Sequence, residues 1–268
     1  MENIKLICSD IDGTLLNKER QLSVKTIQEI KRLNRIPFIL ISSRMPKAMR
    51  HLQEELAIQK LPLIAYNGGL IINNAKIISS TEVDLNSTNI IAEFCKSTNI
   101  HLSLYHNDEW YVPQLDYWAN REANNTKVNP TVQSISKTIS IWENENKGAH
   151  KIMCMGDENE IDSLVSFIEE ELNDAIIAYR SKATYLEIAS KKISKKTAIE
   201  DLIKFKYATL SLKNVLAFGD NYNDIEMITH VGVGVAVKNA KLELKEKANF
   251  ITESNLNDGV ANFLEVNF

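Results

Sequence analysis

The apolar run Ile4 to Cys8 is followed by two carboxylates one residue apart, and the chain then turns on a glycine, in the stretch Asp10-Ile11-Asp12-Gly13-Thr14-Leu15. A strand that finishes in this way sets both acids at the carboxyl edge of a sheet, the edge at which open α/β folds bind their ligands. Taken alone, the pair is equally compatible with solvated acids at an ordinary strand end.

The chain beyond it alternates strand and helix. An amphipathic helix is expected over Ser23 to Asn34, capped by Ser23, then a buried strand over Pro37 to Ile41, a helix over Pro46 to Ala57 and a strand over Pro62 to Tyr66. The turn Asn67-Gly68-Gly69 follows. Such alternation implies right-handed crossovers and a parallel sheet with helices on both faces.

After about Ser80 the rhythm changes. Ile90 to Asn99 reads as a helix, but His101 to His106 and Trp110 to Pro113 flank Asn107-Asp108-Glu109 as a hairpin, a connection that parallel strands cannot use. Lys151 to Met155 reads as a strand, Glu158 to Leu172 as a helix, and Ile176 to Arg180 with Tyr185 to Ala189 as a second hairpin. The expectation is a doubly wound, Rossmann-like α/β core built from residues 1–81 and 191–268, interrupted by an inserted α+β cap domain over residues 82–190.

The returning core segment carries a second acidic strand end. Helix Lys195 to Lys206 leads to the apolar run Val215 to Phe218, which finishes in Gly219-Asp220-Asn221-Tyr222-Asn223-Asp224. Parallel topology can place this end on the same edge as Asp10, so that several carboxylates converge. Like charges so crowded need a cation, and hard oxygen ligands suit Mg²⁺. A third strand end, Ile41-Ser42-Ser43-Arg44, offers hydroxyl and backbone N–H groups that hold phosphate oxygens or serve simply as helix caps. Lys195 offers a cation for phosphate or for the acids, in a segment rich enough in lysine that solvated surface is the competing reading.

Composition excludes several other classes. A net charge of -4 over 268 residues gives no general attraction to nucleic acid or to anionic membranes. Cys8, Cys95 and Cys154 are odd in number and lack a CxxC pair, which argues against a disulfide framework or a zinc cluster. The acids at Asp10 and Asp12 interrupt the first apolar run too early for a signal peptide, and no apolar stretch approaches the ~20 residues that span a bilayer. A cytoplasmic protein with a small-molecule partner is the expectation; nothing in the pattern sets an oligomeric state.

The order of these four elements resembles the haloacid dehalogenase-like superfamily over essentially the whole chain. Its DxDGT motif matches Asp10 to Thr14, its strand-end Ser or Thr matches Ser42, its lysine matches Lys195, and its acidic turn matches Gly219 to Asp224. The GDxxND form with Glu226-Met227, the Asn67-Gly68-Gly69 turn, Asn239-Ala240 and Asp258-Gly259-Val260 look like the Cof-type subfamily, whose members carry a large α/β cap between the second and third motifs. The chain departs from the subfamily in having Ser42-Ser43-Arg44 where Thr-Gly-Arg is usual, and Gly68-Gly69 where Gly-Ala is usual.

The resemblance implies a phosphatase of small phosphorylated metabolites, sugar phosphates first among them, working through an aspartyl-phosphate. Asp10 is then the nucleophile and Asp12 the general acid and base, with Mg²⁺ held by Asp10, the backbone carbonyl of Asp12, and Asp220. Ser42, Ser43, Lys195 and Asn223 bind the phosphoryl oxygens, while Asp224 and Thr14 support the site. Trp110, Tyr117, Trp118, Arg121 and Arg180 in the insert are candidate contacts for the leaving group. The rival readings are a sugar phosphomutase, a binding protein that kept the fold without turnover and, less compatible with DxDGT and the insert, a signalling receiver module.

Overall fold

The computed structural model describes the backbone of residues 1–268 and every side chain except that of Ser181. It divides the chain into two compact units, one made of Met1–Ser43, Met49–Ser79 and Ser194–Phe268, the other of Arg44–Ala48 and Ser80–Ile193.

The first unit opens with β1 (Leu6–Ser9), α1 (Val24–Arg32), β2 (Phe38–Ile41), α2 (Arg50–Leu56), β3 (Leu63–Ala65), β4 (Leu70–Asn73) and β5 (Lys76–Ser80). Helix α1 starts where Ser23 accepts a hydrogen bond from the Thr26 N–H, satisfying one of the donors that a helix start leaves open. Two expectations need correction here. The helix expected from Pro46 is a 3-10 turn over Pro46–Ala48 followed by α2, which ends at a left-handed Ala57. The sheet is also not wholly parallel: β4 runs antiparallel to β3, and β5 follows β4 at the sheet's edge. The short connection through Gly68 and Gly69 cannot carry a crossover, so the next strand must return alongside.

The second unit holds α3 (Leu85–Lys96), β6 (His101–His106), β7 (Glu109–Val112), α4 (Tyr117–Thr126), β8 (Thr131–Val132), α5 (Ile135–Glu145), β9 (Lys151–Met155), α6 (Glu158–Glu171), β10 (Ile176–Lys182) and β11 (Tyr185–Ser190). Its six strands run in the order β10-β11-β9-β6-β7-β8. One face of this sheet presents Leu102, Leu104, Ile152, Cys154, Leu186 and Ile188 to a helix layer that contributes Ile91, Cys95, Trp142, Ile161 and Leu164. That alternation is the period of a sheet with one apolar face. The sequence pattern did not anticipate α4, α5 or β8. Among the residues of α4 only Ala119 is buried, so the helix has no apolar stripe to read.

A polar network ties the start of this unit to its sheet. Val83 and Ala149 form an antiparallel bridge, Glu82 accepts from the Gly148 N–H, and Ser80 Oγ lies between Glu82 Oε1 (3.1 Å) and His150 Nε2 (2.9 Å).

The chain then returns to the first unit through α7 (Lys195–Lys206), β12 (Val215–Gly219), α8 (Ile225–His230), β13 (Val233–Val237), α9 (Leu242–Lys247), β14 (Phe250–Thr252) and α10 (Gly259–Asn267). The resulting eight-stranded sheet has the order β14-β13-β12-β1-β2-β3-β4-β5, parallel from β14 to β3. Strand β1 lies at its centre between β12 and β2, and Ile7, Cys8, Ile39, Leu40, Leu216 and Ala217 are fully buried. Burial on both faces explains why these strands read as continuous apolar runs.

Candidate active site

Register fixes where the strand ends meet. Ser9 of β1 pairs with Phe218 of β12 and with Leu40 of β2, so Asp10, Asp220 and Ser42 all emerge at one edge of the sheet. The Asp10 N–H continues the ladder by donating to the Phe218 carbonyl at 3.1 Å.

Into this edge projects Lys195, the first residue of α7, whose N-cap Ser194 forms a capping box with Thr197. Its Nζ donates to Asp10 Oδ1 and to Asp224 Oδ1, each at 2.6 Å. Lys195 is only 1% exposed. Burial works against the ammonium, but Asp10 and Asp224 outweigh it and hold the group above its ordinary value. Far from solvated surface, this lysine is the internal counter-charge of the site.

The other oxygen of Asp224 accepts from the N–H groups of Asp220 and Asn221, both at 3.0 Å. Asp224 is therefore committed on both oxygens and shapes the loop around it. Thr14 Oγ1 donates to Asp220 Oδ1 at 2.9 Å. The backbone can come so close only because residue 13 is glycine: at φ +86° a Cβ there would lie 2.5 Å from Asp220 Oδ2. Gly219 plays the same part against Asp224, whose Cβ a side chain at 219 would meet at 2.6 Å.

Carboxylate oxygens of Asp10, Asp220 and Asp224 lie within 4.8 Å of one another. Burial raises the Asp10 carboxyl well above the usual carboxylate range; Lys195 opposes the rise, and Asp224 and Asp220 reinforce it. Asp220 is pushed up to about 6, by burial first and then by Asp224. Three acids facing one ammonium do not all ionise cheaply, and a divalent cation beside them would favour their charged forms.

Ser42 is buried, with its N–H donating to the Ile64 carbonyl and its own carbonyl accepting from Asn67; Ser43 is half-buried and Asp12 exposed. Asn223 is half-buried, and its Nδ2 donates to Asn67 Oδ1 at 3.1 Å. Two asparagines given no site role from sequence also hold the loop after β1. Asn239 donates to the Gly13 carbonyl at 2.7 Å and accepts from the Asn255 N–H, while Asn255 donates to the Leu16 carbonyl at 2.7 Å. Of the two, only Asn239, in Asn239-Ala240, belongs to a sequence feature singled out above.

With this geometry in place, comparison with known proteins is decisive. The family model described as haloacid dehalogenase-like hydrolase matches residues 7–264. The chain belongs to that family. A Haemophilus influenzae protein named as a phosphatase is 32% identical to this haloacid dehalogenase-like hydrolase over 272 residues, covering 98% of each chain. The 5-amino-6-(5-phospho-D-ribitylamino)uracil phosphatase YcsE of Bacillus subtilis is 30% identical, over 97% of this chain and 94% of its own. Among solved structures, a haloacid dehalogenase-like hydrolase from Bacteroides thetaiotaomicron superposes with a TM-score of 0.89 at 27% identity, covering 99% of this chain and 100% of that one. TM0651 from Thermotoga maritima gives 0.86 at 26% identity over 98% and 97%. The chain is thus a Cof-type hydrolase with phosphatases as relatives.

The donor set fits the hard divalent cation of such hydrolases, since three carboxylates cluster at the edge and their charge exceeds that of Lys195. A second group of possible ligands, Glu82, His106 and His150 in the other unit, does not fit a metal. His106 Nδ1 must carry a proton to meet the Gly148 carbonyl at 2.9 Å, and His150 Nδ1 accepts from the Asn107 N–H, which leaves Nε2–H for Ser80.

Two of the candidate leaving-group contacts are structural. Trp110 is 2% exposed, stacks on Tyr105 and donates to Ser103 Oγ; Arg180 is engaged by Asp162 and the Ala183 carbonyl. Tyr117, Trp118 and Arg121 instead gather with Tyr185, Trp118 edge-on to its ring at 5.5 Å and the Arg121 guanidinium over it at 5.5 Å. Among the described residues no helix is long and apolar enough to cross a membrane.

Proposed function

We propose that this hydrolase is a Mg²⁺-dependent phosphatase of small phosphorylated metabolites, with sugar or polyol phosphates as the leading class. The observation that carries the reading is Lys195 Nζ held 2.6 Å from both Asp10 and Asp224, with Asp220 in the same cluster. A buried cation and converging carboxylates at a sheet edge are what charge stabilisation during phosphoryl transfer requires. The name of the Bacillus subtilis relative, whose substrate bears its phosphate on a ribityl chain, supports the substrate class.

Asp10, Asp220 and the backbone carbonyl of Asp12 would hold Mg²⁺, which when bound neutralises charge on the acids and the phosphoryl group. Asp10 attacks phosphorus as the bond to the leaving oxygen breaks, forming an aspartyl-phosphate. Asp12 gives its proton to the departing alkoxide and then takes one from the water that cleaves the intermediate, releasing inorganic phosphate and restoring Asp10. The Ser42 hydroxyl, the Ser43 N–H, Lys195 and Asn223 bind the phosphoryl oxygens. Thr14 orients Asp220, and Asp224 orients Lys195.

The test is release of inorganic phosphate from a panel of sugar, polyol and nucleoside monophosphates, with Mg²⁺ or with excess chelator and no bisphosphate activator. Turnover that requires Mg²⁺ supports the reading. Undiminished turnover in chelator would refute the metal, and no release from any ester without activator would favour a phosphomutase or a binding protein.

A further inference from the structure

Backbone strain in the first unit is concentrated immediately after β3. Tyr66, Asn67 and Gly68 have φ of 54°, 55° and 108° in succession, whereas every other positive φ among the described residues stands alone. A tyrosine in the left-handed region is an outlier, and the segment is buried, with Tyr66 at 1% and Asn67 at 3% exposure. Conformations of this kind persist where the surroundings fix them, and they gather at functional sites.

The strained turn reaches three elements at once. The Asn67 N–H donates to the Ser42 carbonyl at 2.9 Å. Its Oδ1 accepts from Asn223 Nδ2 at 3.1 Å. Gly68 lies so close to the start of α7 that a Cβ on it would come within 2.8 Å of the Ser194 carbonyl and of Ala198. Ser42, Asn223 and the Lys195 that follows Ser194 are three of the four groups assigned above to the phosphoryl oxygens.

We propose that Asn67 is a positioning residue of the phosphoryl pocket, fixing which way round the Asn223 carboxamide stands. This rests on the phosphatase reading. A carboxamide is nearly symmetric in shape, but only its nitrogen end attracts an anion. Asn67 Oδ1 takes one N–H of Asn223 and so keeps the nitrogen end in place, leaving the second N–H for a phosphoryl oxygen. Without that acceptor the amide is free to flip and set its own oxygen against the anion. Asparagine also suits the position because it tolerates the left-handed backbone that the turn imposes.

Asn67→Gly separates the two contributions, since glycine keeps the backbone conformation and removes the side chain that carries the acceptor. The variant is expected to raise KM for p-nitrophenyl phosphate and Kd for inorganic phosphate in Mg²⁺ by about tenfold, the loss expected of one hydrogen bond to a charged group. The melting temperature and kcat should change little, as for interactions that bind ground and transition states alike. In the Asn223→Ala background the same substitution should cost nothing further, because its effect runs through Asn223. Wild-type phosphate affinity in Asn67→Gly, or losses that simply add in the double variant, would overturn the proposal. Should the glycine variant not fold, Asn67→Asp keeps both the acceptor and the backbone tolerance. Adding Asn223→Ala to it should then still weaken phosphate binding about tenfold, and no further weakening would overturn the assignment. A wild-type protein that neither binds phosphate nor hydrolyses esters is a different result, defeating the phosphatase reading and this proposal with it.

Discussion

Lys195 and Asp10 are 185 positions apart in sequence, yet the lysine Nζ lies 2.6 Å from Asp10 Oδ1 in a buried site. The pair joins the two halves of the first unit through a charge contact that neither half could make alone.

Removing the cation should therefore destabilise the protein as well as inactivate it. Lys195→Met leaves Asp10 and Asp224 facing each other in the interior, and breaking a buried pair in this way costs about 3–5 kcal/mol. Urea unfolding in chelator, compared with wild type, measures the loss. A variant as stable as wild type would mean that the lysine is not the counter-charge of the site.

A methyl group at position 13 should damage metal binding more than any nearby surface change. The Cβ of Gly13→Ala would meet Asp220 Oδ2 at 2.5 Å on a backbone of φ +86°, so either the loop or the carboxylate must move. Calorimetric Mg²⁺ titration should show affinity reduced by about tenfold or more, together with a lower melting temperature, given the ~1–2 kcal/mol cost of the left-handed backbone alone. Unchanged Mg²⁺ affinity would place the cation away from Asp220.

The acid limb of stability should carry the signature of His150. Burial, with His106 beside it, lowers this imidazole from 6.5 to about 3. Between those values the unfolded chain takes up a proton that the folded one refuses. The contribution is thus intact above pH 6.5 and is lost as pH falls, by about 1.4 kcal/mol per unit. His150→Gln should narrow the stability difference between pH 7 and pH 5 by about 2 kcal/mol, read from urea unfolding at the two values. An equal difference in both proteins would show that His150 titrates normally.

What the sequence disclosed follows from where each signal is stored. The central strands and the acids that follow them are local patterns: a strand buried on both faces is an unbroken apolar run, and Asp10, Ser42 and Asp220 each stand just beyond one. Strand β5 lies at the sheet edge, where such a run is not required, and Lys76–Ser80 is exposed or half-buried; β4 is a buried apolar run, but the direction in which it returns beside β3 is set by the short turn before it and not by its own residues. Helix α4 buries only Ala119 and is rich in asparagine, which gives neither periodicity nor propensity. The asparagines that brace the site act over distance. Asn239 reaches Gly13 across 226 positions and Asn223 reaches Asn67 across 156, contacts that no window of sequence contains.

The central claim is that Asp10 attacks phosphorus, and the most direct measurement is phosphate release by Asp10→Asn set against wild type in saturating Mg²⁺. The substitution preserves size while removing the nucleophile, so turnover should fall by a factor of about 1,000 or more, with no phosphate trapped covalently on acid quench. Turnover within a few-fold of wild type would contradict the aspartyl-phosphate mechanism.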